Sequence, residues 1–410
     1  MTALLCTDRD PQALADQLEQ LWSADRLVAL ADPLERLLLQ DALPPLPPAG
    51  LGPGVVLGSG GSAGARRWCV LTLPQLHASA QATGQWLQQQ GLDPGRTVLV
   101  NPLPLHHISG LMPLVRARRW RAALRWLSPA LMRQPEALAA TEALRLGPGE
   151  QGLLSLVPTQ LQRLVDHPAG VRWLQAFAVI WVGGAALPPA LAQTCRSLGL
   201  RLAPCYGSTE TGAMVCALPP EQFLAGLGGC GAPLPHAELR QEPQSGCLQI
   251  RASSLAAGLL EAGQLRPLPL RQGWWTSADL GRLTAEGVWL DGRADGAISS
   301  GGETVFPQRV EQAVMAWAVE AALPLEALLL LPQPDPLWGQ RLVALVRPSA
   351  TARGQAEGLL AALQQAALRL PASQRPLRWL VCPALEPSAA GKWERARWQR
   401  WLDDRSPPPR

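Results

Sequence analysis

Lysine is nearly absent from this chain. Of 410 residues, 36 are lysine or arginine, and Lys392 is the single lysine among them. Tyrosine is as scarce, with Tyr206 alone beside 3 phenylalanines and 16 tryptophans. The eight cysteines, at 6, 69, 195, 205, 216, 230, 247 and 382, form no C-x-x-C pair, and the 5 histidines supply no metal-finger spacing. Reduced, mostly buried thiols in a cytoplasmic protein fit that pattern. No apolar run reaches 18 residues, which excludes a transmembrane helix. The start, MTALLCTDRDPQ, lacks the basic flank and sustained apolar run of a secretory signal. A net charge of only +4, on scattered arginines, leaves no nucleic-acid footprint. The one local cluster, Arg116, Arg118, Arg119, Arg121 and Arg125, reads as a solvated face.

What is present describes a globular protein, 47% hydrophobic and 17% charged, too long for one ordinary core. A Pro/Gly-rich stretch over 43–54 separates a short helical N-terminus from a strand at Val55-Val56-Leu57. Strands and helices then alternate. Thr72 caps a helix over 74–90, Thr97–Asn101 and Leu153–Val157 read as strands, Pro158 opens a helix, and Ala178–Val182 runs apolar into Gly183-Gly184. A helix follows from about Pro188, then a strand over 201–205. Such alternation implies a parallel sheet covered on both faces. After Ala213 short segments such as Gly246–Arg251 imply a small antiparallel, barrel-like subdomain. From Asp295 to 402 strands at 327–331 and 342–346 mix with a helix over 354–369, and the last eight residues read as a disordered tail. There is no internal repeat.

Several short segments can carry chemistry. Ser59-Gly60-Gly61-Ser62-Ala63-Gly64-Ala65-Arg66-Arg67 follows a strand. Its glycines let backbone N–H groups approach an anion and its serines add hydroxyls, although an ordinary flexible turn has the same composition. No Gly-Lys-Ser/Thr follows, so it is not a Walker loop. Tyr206-Gly207-Ser208-Thr209-Glu210 offers an aromatic face for adenine, a hydroxyl for a phosphate and a carboxylate for Mg2+, which prefers hard oxygen ligands. The alternative is a Tyr-Gly turn ending a strand. Asp279 can accept from a ribose diol, and Arg293 can donate to the same sugar or its phosphate. Alone, they would be a turn residue and a surface cation. In Pro104–Gly110, His106 reads as a core residue and His107 as the candidate for a substrate pocket. Lys392, in Pro387-Ser-Ala-Ala-Gly391-Lys392-Trp393, is either a compositional accident or a compact point charge where a guanidinium fork would not serve.

The order of these segments resembles that of the adenylate-forming acyl-activating (AMP-binding) superfamily, over residues 55 to 393. The resemblance implies an α/β fold, with a large N-terminal domain (1–294) of parallel α/β subdomains plus the barrel-like one. A smaller, mobile α+β domain (295–410) would carry Lys392, with Asp295 as hinge. It also implies a two-step reaction of ATP with Mg2+, a small-molecule carboxylic acid and coenzyme A. Ser59, Gly60, Gly61, Ser62, Gly64 and Arg67 would hold phosphate, and Tyr206, Gly207, Asp279 and Arg293 the nucleoside. Gly184 and Ala185 would lie between adenine and acyl group, Thr209 and Glu210 at phosphate and metal, and His107 at the acid. Lys392 would serve adenylation, and Gly301 and Gly302 would face the thiol. Ala63, Arg66 and Arg67 depart from the usual Thr, Pro and Lys of the phosphate loop. Ser277-Ala278 departs from Thr-Gly. Within the superfamily the chain looks most like the o-succinylbenzoate-CoA ligases of menaquinone and phylloquinone synthesis. Another aryl- or acyl-CoA ligase and a non-catalytic nucleotide-binding relative stay open, as does assembly into a homo-oligomer.

Overall fold

The computed structural model describes residues 2–7, 10–44, 50–59, 67–261, 263–349, 356–388 and 393–405. Four sheets organise them.

The first sheet has the order Ala3–Cys6, Leu27–Ala31, Gly54–Ser59, Arg67–Thr72, Gly258–Glu261, Gln264–Pro267. Its first three strands are parallel and the rest antiparallel. Two expectations change here. The N-terminus is strand, helix (Pro11–Ser23), strand rather than a short helix, and the Gly258–Pro267 hairpin joins this sheet instead of the small subdomain. Both depend on pairing between segments far apart in sequence, which local periodicity does not encode.

The second sheet has the order Ala213–Ala217, Leu202–Ser208, Phe177–Val182, Gln151–Leu156, Thr97–Asn101, Ala123–Trp126. All neighbours are parallel except the first pair. Every residue of Thr97–Asn101 is buried, which explains its unbroken apolar run. The helix Leu73–Gln89 starts at the expected cap, where the backbone N–H of Thr72 donates to Oε1 of Gln75 at 2.7 Å.

On the helix Ile108–Trp120 the arginine cluster divides. Arg116 is buried, its guanidinium 5.0 Å from the Trp181 ring centre, and burial lowers its pKa to about 10. Arg118, Arg119 and Arg121 are exposed. Helical spacing puts residue 116 on the face of Met112 and Pro113, both buried, so it is not part of a solvated face.

The third sheet is antiparallel throughout and joins Ala237–Gln241, Cys247–Ala252, Trp274–Thr284, Leu270–Arg271 and Gly287–Arg293. The fourth joins Glu303–Val305, Ile298–Ser300, Gly339–Pro348, Leu325–Asp335 and Arg378–Val381. In Leu325–Asp335, Leu328 and Leu330 enter one core with Val310, Val314 and Leu363, while Leu329 and Leu331 enter another with Trp398 and Leu402. A run of leucines thus serves two faces by strand alternation. Of the expected helix over 354–369, Ala356–Ala367 is helical and 368–369 already turn away from it. The chain end 406–410 lies outside the described residues.

Candidate active site

The sole tyrosine lies on Leu202–Ser208, in the core between the large sheets and the antiparallel one. Its hydroxyl donates to Oδ2 of Asp279 at 2.8 Å, and Arg293 donates from Nη1 to Oδ1 at 2.9 Å. The last two face each other because Asp279 and Arg293 are register partners on neighbouring strands. Burial first, and then the Asp279 charge, push the Tyr206 phenol well above its usual pKa, so it remains a proton donor. Asp279 and Arg293 keep 17% and 29% of their side chains exposed, enough for a ligand hydroxyl to reach them.

Immediately beyond, the turn Ser208–Gly212 is braced from within. The N–H of Ser208 donates to Oγ1 of Thr211 at 2.8 Å, and that hydroxyl donates to the carbonyl of Ala213 at 2.7 Å. Gly207 is required, since a Cβ there would lie 1.9 Å from the Ala213 carbonyl oxygen. Gly212 holds a φ of +62°, which a side chain would strain. The turn buries Glu210, and Arg67 approaches it, Nη2 to Oε1, at 3.5 Å. Ser59, opposite Arg67 in the strand register, and Ser208 each carry a buried hydroxyl oxygen with no hydrogen-bond partner among the described residues. Of the loop candidates between them, Gly60, Gly61, Ser62 and Gly64 lie outside the described residues, as do Ala63 and Arg66.

Two orphaned hydroxyls, a guanidinium and one buried carboxylate fit a metal-bound polyphosphate. The phosphate oxygens would satisfy the donors and Glu210 would ligate the ion. Among the described residues no group of three His, Cys, Asp or Glu side chains could hold a metal. A single buried carboxylate such as Glu210 matches the donor set of Mg2+, which commonly takes one or two carboxylates plus substrate phosphates.

The other candidates spread along the same edge. Gly184 and Ala185 follow the carboxyl end of Phe177–Val182, Gly184 with φ +81°. His107 follows Thr97–Asn101 and starts the helix Ile108–Trp120, its carbonyl accepting from the N–H of Leu111 at 2.9 Å. These strands run parallel to the Tyr206 strand, so their carboxyl ends open together, the usual ligand edge of such a sheet. His106 is buried, with Nδ1 against the Thr7 hydroxyl and its ring centre 4.3 Å from that of His107. It packs in the core, as expected.

Farther along, Gly301 and Gly302 form the turn of a hairpin, and a Cβ on Gly301 would lie 2.5 Å from the Trp338 ring. Asp295 belongs to the turn Ala294–Gly296. Lys392 lies outside the described residues. Three residues on, Arg395 donates from Nη2 to both oxygens of buried Glu311 at 2.9 and 3.0 Å, and from Nη1 to the Leu330 carbonyl at 2.7 Å. The N–H of Leu330 donates to Oε1 of Glu311 at 2.8 Å. This closed clamp at the start of the helix Arg395–Asp403 has no counterpart in the motifs. No sequence signal marks it, because its partners come from three separate elements.

The class follows from fold and cluster together. The sequence pattern of AMP-binding enzymes matches residues 7–263, and the chain belongs to that family. More particularly, the chain is 30% identical over 300 residues to the 2-succinylbenzoate–CoA ligase of Salmonella typhimurium, a match covering 73% of this chain and 59% of that protein. The match thus spans about three fifths of that curated relative's length. An Escherichia coli MenE variant solved with bound OSB-AMS superimposes with a TM-score of 0.72 at 25% identity, over 99% of this chain and 88% of the other. The o-succinylbenzoate CoA synthetase (MenE) of Bacillus subtilis, solved with the acyl-adenylate intermediate OSB-AMP, gives 0.75 at 19% identity, over 97% and 87%. That last similarity is one of fold.

Proposed function

We propose that this chain is an ATP-dependent, AMP-forming acid–thiol ligase whose acid is o-succinylbenzoate and whose thiol is coenzyme A. The reading rests on one observation above the rest. The strand ending at Ser208 and its turn join a nucleoside-type cluster (Tyr206 with Asp279 and Arg293) to an anion-and-metal cluster (Glu210 and Ser208 with Arg67 and Ser59). The choice of acid rests on the relatives alone, and with it a place in menaquinone or phylloquinone synthesis.

In the first step a carboxylate oxygen forms a bond to the α-phosphorus of ATP while the bond to pyrophosphate breaks. Asp279 and Arg293 hold the ribose, the Tyr206 face the adenine, and Gly184 with Ala185 the passage between adenine and acyl group. Ser59, Thr209 and Arg67 donate to phosphate oxygens, and His107 borders the acid. Mg2+ at Glu210 supplies charge neutralisation for the phosphates. Lys392 stabilises charge where acid and α-phosphate meet. In the second step the thiol sulfur bonds to the acyl carbon, the bond to AMP breaks, and the thiol proton passes to solvent. Residues 1–294 act as the body and 295–410 as the lid, with Asp295 as hinge, and the lid's motion exchanges Lys392 for the Gly301-Gly302 side.

Eight unpaired cysteines suit a reducing cytoplasm. Among the described residues no helix is long and apolar enough to cross a membrane. The test is ATP–pyrophosphate exchange and thioester formation across a panel of carboxylic acids, with o-succinylbenzoate expected to be fastest. Faster turnover of a benzoate or fatty acid would replace the acid and keep the reaction. No exchange with any acid would leave a nucleotide-binding relative.

A further inference from the structure

Against the Glu210 turn lies a pair of residues outside the motifs. The Ser254 hydroxyl donates to the carbonyl of Thr211 at 2.7 Å, and Nε2 of His236 lies 2.9 Å from that same hydroxyl oxygen. A serine hydroxyl has one proton. Because it is committed to Thr211, the ring must donate from Nε2–H to the serine oxygen, which fixes the tautomer and leaves Nδ1 as an acceptor. Nδ1 is buried without a hydrogen-bond partner among the described residues. Burial also lowers the His236 pKa to about 4, in keeping with a neutral ring.

The segment carrying Ser254 bridges two sheets. It leaves the third sheet at Ala252 and enters the first at Gly258, and on the way the N–H of Ala256 donates to the carbonyl of Glu210 at 2.8 Å. A Cβ on Gly212 would come within 2.6 Å of the Ser254 carbonyl oxygen, so turn and strut are in contact. Glu210 and Thr211 thus each have their carbonyl held by this one segment, and His236 holds the segment.

We infer that His236 and Ser254 are positioning residues that fix the Glu210 carboxylate for its metal ion. The inference rests on the adenylate-forming reading of the site. Releasing the strut loosens the turn and weakens the ion's ligand while leaving every ligand atom in place.

The test is direct titration of Mn2+, followed by electron paramagnetic resonance, onto the full-length protein saturated with a non-hydrolysable ATP analogue. His236→Ala should weaken Mn2+ binding roughly tenfold, the scale of one buried hydrogen bond. His236→Gln, whose amide can still donate to Ser254, should recover most of it. In pyrophosphate exchange the Mg2+ requirement should rise more than the saturating rate falls, a split that general loosening would not produce. Should His236→Ala not fold, Ser254→Cys, a poor donor of similar volume, carries the same expectation. Wild-type Mn2+ affinity in the folded variants overturns the inference. A weakened affinity in a protein that exchanges pyrophosphate with no acid would uphold the strut and remove the adenylation reading.

Discussion

Arg67 places Nη2 3.5 Å from Oε1 of Glu210, whose side chain is only 6% exposed. The cation assigned to phosphate and the carboxylate assigned to metal therefore neutralise each other before either ligand arrives. Binding a metal nucleotide must exchange that pair for two new ones. Arg67→Gln should accordingly have effects of opposite sign. Mn2+ alone should bind a few-fold more tightly, and ATP without metal a few-fold more weakly. The effects stay small because Arg67 is 42% exposed and its charge is screened. Titrations of each ligand alone distinguish this from a loosened loop, which would weaken both.

Asp279 joins Tyr206 and Arg293 through its two oxygens. Asp279→Asn keeps the shape and removes the charge, so ATP binding should lose about 1.5–3 kcal/mol, the range for a hydrogen bond with a charged partner. It should appear mainly as a raised KM for ATP, with the KM for the acid little changed. Tyr206→Phe removes one donor and should lose about 1 kcal/mol. Steady-state kinetics in both substrates would refute the assignment if the acid KM rose as much as that for ATP.

The depressed pKa of His236 has a calculable sign. An unfolded histidine titrates near 6.5 and this one near 4, so below pH 6.5 the unfolded chain binds the extra proton and the fold loses stability. The contribution is fully present above pH 6.5 and disappears as the pH falls to about 4, amounting to about 3 kcal/mol at most. Urea unfolding of the wild type and His236→Gln at pH 7, 6, 5 and 4 should show the wild type losing stability relative to the variant as the pH falls below 6.5, by up to about 3 kcal/mol. A constant difference would mean that His236 binds its proton equally well in the folded and the unfolded chain.

How far the sequence could be read depended on whether the controlling interaction was local. Thr97–Asn101 was legible because all five residues are buried in a parallel sheet, and Thr72 because its cap is completed three residues away. Asp279 and Arg293 were legible through motif spacing, and the strand register explains that spacing. The mixed first sheet was not, because the strand Gly258–Glu261 finds its partner far upstream at Arg67–Thr72. His236 is one of five scattered histidines until Ser254 lies against it. Arg116 could have been separated from its neighbours by helical period alone, since the face it shares with Met112 is apolar.

The Glu311–Arg395 clamp is largely buried, with side-chain exposures of 12% and 22%. Removing one partner leaves the other's charge without compensation, so Glu311→Leu should destabilise the protein by about 3 kcal/mol, the lower end for a buried pair. The paired change Glu311→Leu with Arg395→Met should recover much of that. Chemical denaturation checks both, and equal losses in single and double variants would show that the pair is not coupled.

The lone lysine separates the two half-reactions. If Lys392 acts only while the acyl-adenylate forms, Lys392→Ala should lose several kcal/mol of transition-state stabilisation there, roughly two to four orders of magnitude in rate. Thioester formation from supplied acyl-adenylate should survive. Lys392→Arg should also be impaired, because a planar fork does not reproduce a compact charge at one oxygen. The clamp at Arg395 gives the internal control, since disturbing the nearby helix should affect stability as well as rate, whereas Lys392→Ala should leave the unfolding midpoint unchanged. Single-turnover kinetics of each half-reaction decides the matter. Equal losses in the two halves would indicate damage to docking of the chain end, and no loss in either would make Lys392 an accident of an arginine-rich composition.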